Sequence, residues 1–358
     1  MGHELSARVL EAGPGTDAES AWKLARAHFR AIGQPGRTKV VARRGAYNGT
    51  TMGALSITGV AALREPFEPL LGGVSHVATT NRFRCDACAG AAACTLACAD
   101  EVEAAIIAAG PDEVCAVSLE PVQNAGGCIT PAPGYFTRVR EVCDRYGVLL
   151  VSDEVICAFG RLGTMYGCER KGFLPDMITT AKGLTSGYAP LGAVIVREPL
   201  VAPFLEEGAS LAHGLTFAGH PVSCAVALAN LDVLEEEDLL GNVIRNEAGF
   251  VERLEGIAAD LPLVGDVRGR GSFHALELVP EAGHPARFTP PQAEALIRGF
   301  VAPALLDAGL VARADNRGDP VIQLSPPLIA GPDELDEIES ILRKVLGEAQ
   351  DRLPSLAG

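Results

Sequence analysis

From Asp17 to Ala31 the apolar residues Ala18, Ala21, Trp22, Leu24, Ala25 and Phe29 recur at a spacing that stacks them on one side of a helix, behind a polar start. An amphipathic helix is predicted there. Lys39 to Ala42 then reads as a short strand, running into the turn-rich Arg44-Gly45-Ala46-Tyr47-Asn48-Gly49-Thr50. Beyond it helical and apolar segments alternate. Glu101 to Ala109 is helical in pattern, Val114 to Leu119 is a buried strand ending in Glu120, and Gly134 to Tyr146 is again helical. Val148-Leu149-Leu150-Val151 leads through Ser152 to Asp153, and Met177 to Ala181 is a further short apolar run, ending at Lys182. Nearly continuous apolar strands separated by helices are the pattern of an α/β chain with a mostly parallel, doubly wound sheet.

The pattern changes after Pro221 to Glu237, a long helix rich in Ala, Leu and Val. The alternation from Arg268 to Leu278 predicts an antiparallel strand. A helix near Pro291 to Ala308, a strand at Val321 to Leu324 and a closing helix near Asp333 to Gln350 complete a smaller α+β unit. The expected division is therefore a large domain, 1–235, and a small carboxy-terminal domain, 236–358. The run Glu235-Glu236-Glu237-Asp238 reads as a solvated helix face.

A chain of 358 residues with 48% apolar side chains can bury a large core. Its net charge of −15 and pI near 5.0 exclude a broad basic surface for nucleic acid or anionic membrane, so a small-molecule partner is expected. No apolar stretch approaches the roughly 20 residues that cross a bilayer, and Met1 to Ser6 lacks the pattern of a secretory signal, so a cytoplasmic protein is expected. In that setting ten cysteines read as reduced thiols or metal ligands.

The chemistry concentrates at strand ends. Lys182 follows one apolar run and Asp153 another, so the fold can bring an amine and an acid to one crevice at the carboxyl edge of the sheet. A lysine there can link covalently to a carbonyl compound. Cys85, Cys88, Cys94 and Cys98 form a second cluster, with His76 and Asp86 nearby. Four thiolates could hold zinc or an iron–sulfur cluster, although only Cys85-x-x-Cys88 has a standard ligand spacing; the alternative is a set of small apolar thiols in an Ala-rich loop and helix start.

The segments Ser152-Asp153-Glu154-Val155 and Ala181-Lys182-Gly183-Leu184-Thr185-Ser186-Gly187-Tyr188-Ala189-Pro190-Leu191-Gly192 resemble the signature of class III aminotransferases, pyridoxal phosphate enzymes of fold type I. The resemblance runs from about Pro14 to about Ile329. It implies that Lys182 holds the cofactor aldehyde and moves the reacting proton, while Asp153 pairs with the ring nitrogen. It implies further that Tyr47 stacks on one ring face, that Val155 presses on the other, and that Glu120 and Gln123 lie on the hydroxyl side. Gly15 and Thr16 match the family's phosphate-gripping turn, at the start of the first helix where free N–H groups suit an anion. Thr216 matches a threonine that reaches the phosphate of a neighbouring subunit, which implies a homodimer or a dimer of dimers. Arg313, with Arg317 close by, lies where relatives present an arginine to a substrate carboxylate.

The implied reaction passes an amino group from an amine or ω-amino acid donor to a 2-keto acid acceptor. An aminomutase or decarboxylase of the same fold is the alternative, as is an inactive relative with a binding or structural role. The chain departs from the family at several points. Only Met1 to Pro14 precede Gly15, where relatives usually carry a long segment that contributes to the small domain, the dimer interface and the pocket. Pro14, Asp17 and Asn48 stand where serine, glutamate and histidine are usual, changes expected to weaken the hold on the cofactor.

Overall fold

The computed structural model of the protein describes residues 7–9, 17–88, 93–282, 284–315 and 318–356. Gly15, Thr16 and Arg317 lie outside the described residues. Five parallel strands make the centre of the larger sheet: β2 (Lys39–Arg43), β3 (Val74–Val77), β4 (Val114–Leu119), β5 (Leu149–Asp153) and β6 (Met177–Thr180). At one edge β7 (Ala193–Arg197) runs back antiparallel to β6, and β1 (Ala7–Val9) pairs antiparallel with β7. The spatial order is β1-β7-β6-β5-β4-β2-β3.

Alternate side chains of these strands enter two different cores, as the pleat requires. Val40, Ala116, Val151 and Val194 pack under the helix Asp17–Ala31 through Trp22, Leu24 and Phe29. Val41, Val117, Leu150 and Ile178 face the helices Ala97–Ala109 and Tyr135–Tyr146 on the other side. With both faces covered, the unbroken apolar runs of β4 and β5 are explained, and the expected α/β class with a mostly parallel sheet is observed.

A separate antiparallel sheet, ordered β10-β11-β9-β8, follows. Its strands are β8 (Val264–Arg270), β9 (Phe273–Leu278), β10 (Arg313–Asp315) and β11 (Val321–Leu324). Behind it the helices Leu239–Asp260 and Pro332–Leu356 bury Phe250, Leu254, Ile257, Leu342 and Leu346 against Leu276 and Ile322. The segment expected to be one strand from Arg268 to Leu278 is instead the hairpin β8–β9. It folds at Gly271, whose left-handed φ of +61° lets Arg270 and Phe273 pair across a two-residue turn. The helix expected from Pro291 to Ala308 keeps its place but contains a π turn at Ile297–Val301. The 22-residue helix Leu239–Asp260 has no counterpart in the sequence reading.

The two sheets meet at the carboxyl ends of β4 and β5. There Val122, Cys157 and Leu162 from the large-sheet loops share a buried cluster with Phe273, Ala275 and Val321. Gly127 makes the close approach possible: its φ is +88°, and a Cβ would lie 2.3 Å from Val321 Cγ1. Among the described residues no helix is long and apolar enough to cross a membrane.

Candidate active site

Lys182 begins a 3-10 turn, Lys182–Leu184, two residues after β6. Its φ of +37° puts a non-glycine residue in the left-handed region, a conformation that persists only when its surroundings impose it. Asn230, on the helix Pro221–Glu236, does so. Its amide donates to Gly183 O at 2.9 Å and Leu184 O at 3.2 Å, and its oxygen accepts from Ser186 Oγ at 2.6 Å. Below the turn, Leu184 packs with Phe159, Leu191, Ala227 and Leu234. The amine itself opens onto the cavity. Enough protein surrounds it that burial pushes its pKa below the ordinary lysine value, opposed by the charges of Asp153, Asp17 and Glu120.

Asp153 ends β5, the neighbour of β6, and is 5% exposed. Burial raises its carboxyl pKa, while an amide donor, a backbone N–H and the Lys182 charge pull it down. The amide belongs to Asn48, whose Nδ2 donates to Asp153 Oδ2 at 2.7 Å; the N–H is that of Val155, donating to Oδ1 at 3.3 Å. Glu120 follows β4, the next strand over. Burial drives its carboxyl up to about 8, with the Arg43 charge opposing and the Asp153 charge reinforcing. Glu120 Oε1 accepts from Asn124 N at 3.3 Å. Two buried atoms beside Asp153, Asn48 Oδ1 and Glu120 Oε2, have no hydrogen-bond partner among the described residues.

Lys182 lines a cavity of about 1910 Å³ between the two sheets, with Tyr47, Gln123 and Arg313 also on its wall; Asp153, Asn48 and Glu120 lie behind that lining. Tyr47 is half-buried on the loop after β2. Gln123 is bound up in its own loop, donating to Arg44 O and Ala125 O and accepting from Thr79 Oγ1. Val155 is half-buried, and Ile156 beside it lines the cavity. Arg313 lies on β10 with its guanidinium paired to Asp315 at 2.7 Å. Thr216 is exposed on the loop before the helix Pro221–Glu236 and does not line this cavity. The sequence reading missed Asn230 and the contact made by Asn48. The signals for Asn48 were its place in a glycine-flanked turn and its standing where relatives usually carry histidine.

Cys88 Sγ lies 3.5 Å from Cys94 Sγ. Cys98 instead turns into the core with Ala99, Val102 and Phe136, where burial pushes its thiol up to about 11, away from the thiolate a metal needs. Among the described residues no group of three or more His, Cys, Asp or Glu side chains is arranged to hold a metal ion. The four thiols of Cys85, Cys88, Cys94 and Cys98, read from the sequence as a candidate zinc or iron–sulfur set, form no such group among the described residues.

A match to the family described as aminotransferase class-III spans residues 2–346. The chain is 53% identical to a probable aminotransferase, Rv3329, of Mycobacterium tuberculosis over 340 residues, which cover 95% of this chain and 72% of that protein. It is 36% identical to the putrescine–pyruvate aminotransferase of Pseudomonas aeruginosa, covering 95% of this chain and 73% of that one. Among solved structures, an amine transaminase from an uncultivated Pseudomonas species in its PLP-bound form superposes with a TM-score of 0.89 at 36% identity, covering 96% of this chain and 77% of that chain. Likeness at this level along nearly the whole sequence settles membership: the chain belongs to the class-III aminotransferases and is a pyridoxal phosphate-dependent aminotransferase of fold type I.

Proposed function

We propose that Lys182 carries the cofactor and moves the reacting proton, that Asp153 pairs with the ring nitrogen, and that the donor is a primary amine or ω-amino acid. The observation that carries this reading is the meeting of Lys182, Asp153 and Glu120 at the ends of three adjacent parallel strands, each acting on another's charge. Bound pyridoxal phosphate supplies an aldehyde for an amine and a cationic ring that accepts electrons. The residues fit such a group. Lys182 lines the open cavity, and behind it Asn48 Oδ1 and Glu120 Oε2 keep acceptor capacity that no described residue uses. An amine pKa lowered by burial also suits a group that must give and take a proton near neutrality.

The other assignments follow the same plan. Tyr47 takes one ring face and Val155 the other, Glu120 and Gln123 the hydroxyl side, and Gly15 and Thr16 the phosphate. Thr216 reaches the phosphate of a neighbouring subunit in a homodimer or a dimer of dimers. Its exposure supports this, as do the exposed apolar side chains of Phe217, Val222 and Leu228 around it. Arg313 binds the substrate carboxylate, with Asp315 holding the guanidinium in place. The relative named for putrescine and pyruvate supports a terminal amine as donor and a 2-keto acid as acceptor. The domain boundary falls between residues 235 and 236, at the end of the helix Pro221–Glu236; the separate core behind the second sheet supports it.

Protein supplied with pyridoxal phosphate is expected to develop a visible absorption band, to be labelled at Lys182 on borohydride reduction, and to change colour with an amine donor. Lys182→Ala is expected to abolish the label. Failure of the parent protein to take up the cofactor would overturn the reading.

A further inference from the structure

The geometry points to Asn48 as a positioning residue for the reaction: by donating a hydrogen bond to Asp153, it keeps that carboxylate ionised and aimed at the ring nitrogen. This rests on the assignment of Asp153 made above. The contact joins two elements far apart in sequence, the loop after β2 and the end of β5, with Nδ2 2.7 Å from Oδ2. Asn48 is itself 9% exposed and fixed from behind, its backbone N–H donating to Thr58 Oγ1 at 3.0 Å. The amide nitrogen faces the carboxyl, the orientation that supports an ionised Asp153, which only accepts.

Buried Asp153 has a choice of states. It can remain a carboxylate beside a protonated ring nitrogen, or take that proton and leave the ring neutral. Burial favours the second state, and so does the nearby Glu120 carboxyl whenever it is charged. Donation from Asn48, donation from the Val155 N–H and the Lys182 charge favour the first. Of these, the Asn48 donor is the larger influence, and its bond is shorter than the one from Val155. Asparagine does not titrate, so its support for the carboxylate holds at every working pH. A histidine at the same place would still donate but would add its own titration near pH 6.5.

The test compares the parent protein with Asn48→Leu, which removes the donor at similar size, and Asn48→His, which restores one. Each is loaded with ring-¹⁵N-labelled pyridoxal phosphate, and the nitrogen shift reports directly whether the ring carries a proton. In Asn48→Leu the shift is expected to move to the unprotonated position. kcat should fall at least about tenfold, the loss one hydrogen bond to a charged group carries, with KM little changed. Asn48→His should restore both. A protonated nitrogen and parental kcat in Asn48→Leu would overturn the inference, as would equal losses in both variants with the nitrogen still protonated. If Asn48→Leu does not fold, Asn48→Ala replaces it under the same criteria. The cofactor-free protein supplies a separate readout: the Asp153 carboxyl, followed by ¹³C NMR, should titrate higher in Asn48→Leu than in the parent. Equal titration overturns the role of Asn48, whereas a parent that never binds cofactor overturns only the assignment beneath it.

Discussion

Glu120 shows how one buried residue ties stability to pH. Its carboxyl titrates at about 8 in the fold against 4.5 for an ordinary glutamate, so between those values the folded chain holds a proton that the unfolded chain has released. Stability contributed by the protonated form is complete below pH 4.5 and declines as pH rises towards 8. Glu120→Gln keeps the shape and removes the charge. Its denaturation midpoint should match the parent at pH 5 and exceed it at pH 8.5; an equal difference at both values would refute the assignment. Glu154, raised to about 7 by burial and gripped by the Cys168 and Gly167 N–H groups, leaves a residual slope of the same sign in the variant. Lys182 and Asp153 were legible in the sequence because apolar runs mark the strand ends they follow. The Asn48 contact was not, since a residue that looks like a departure within its own loop finds its partner 105 positions away.

Among the elements, the turn after β6 depends on the helix Pro221–Glu236, which also packs Ala227 and Leu234 with Ala193 of β7. Asn230 holds the carbonyls of Gly183 and Leu184, and thereby the left-handed backbone of Lys182. Asn230→Ala should free that turn. Cofactor affinity is expected to fall about tenfold, with stability lower by about 1–2 kcal/mol, from cofactor titration and urea denaturation. Unchanged affinity would show that the packing of Leu184 and Phe159 holds the lysine unaided. Elements with an unbroken period were readable: the helix Asp17–Ala31 and the strand Val114–Leu119 have the bounds their patterns suggested. The helix Leu239–Asp260 was hidden because it follows the acidic run Glu235–Asp238 after a single break, and Asp238 turns the chain with a left-handed φ of +47°. The hairpin β8–β9 was hidden because alternation continues through Gly271, and alternation alone does not reveal where a strand reverses.

Across the whole molecule, buried arginines bind the two sheets together. Arg268 on β8 pairs with Glu277 on β9 and Asp266, and its other nitrogens donate to Gly127 O at 2.6 Å and Gly126 O at 2.8 Å on the large-sheet side. Arg84 reaches across to the same Glu277 and to Asp319. Arg268→Ala leaves Glu277, which is fully buried, with half its neutralising charge, and should cost about 3 kcal/mol in chemical denaturation. A loss below about 1 kcal/mol would show that Arg84 alone suffices. Because the cavity lies on this seam, its two walls belong to different sheets: Lys182 and Gln123 stand on one, Arg313 and Asp315 on the other. On the proposed assignments, chemistry and selectivity fall to different sheets. Substitutions along β10 and β11 would then retune which amine is accepted while leaving the strand ends that carry Lys182 and Asp153 undisturbed.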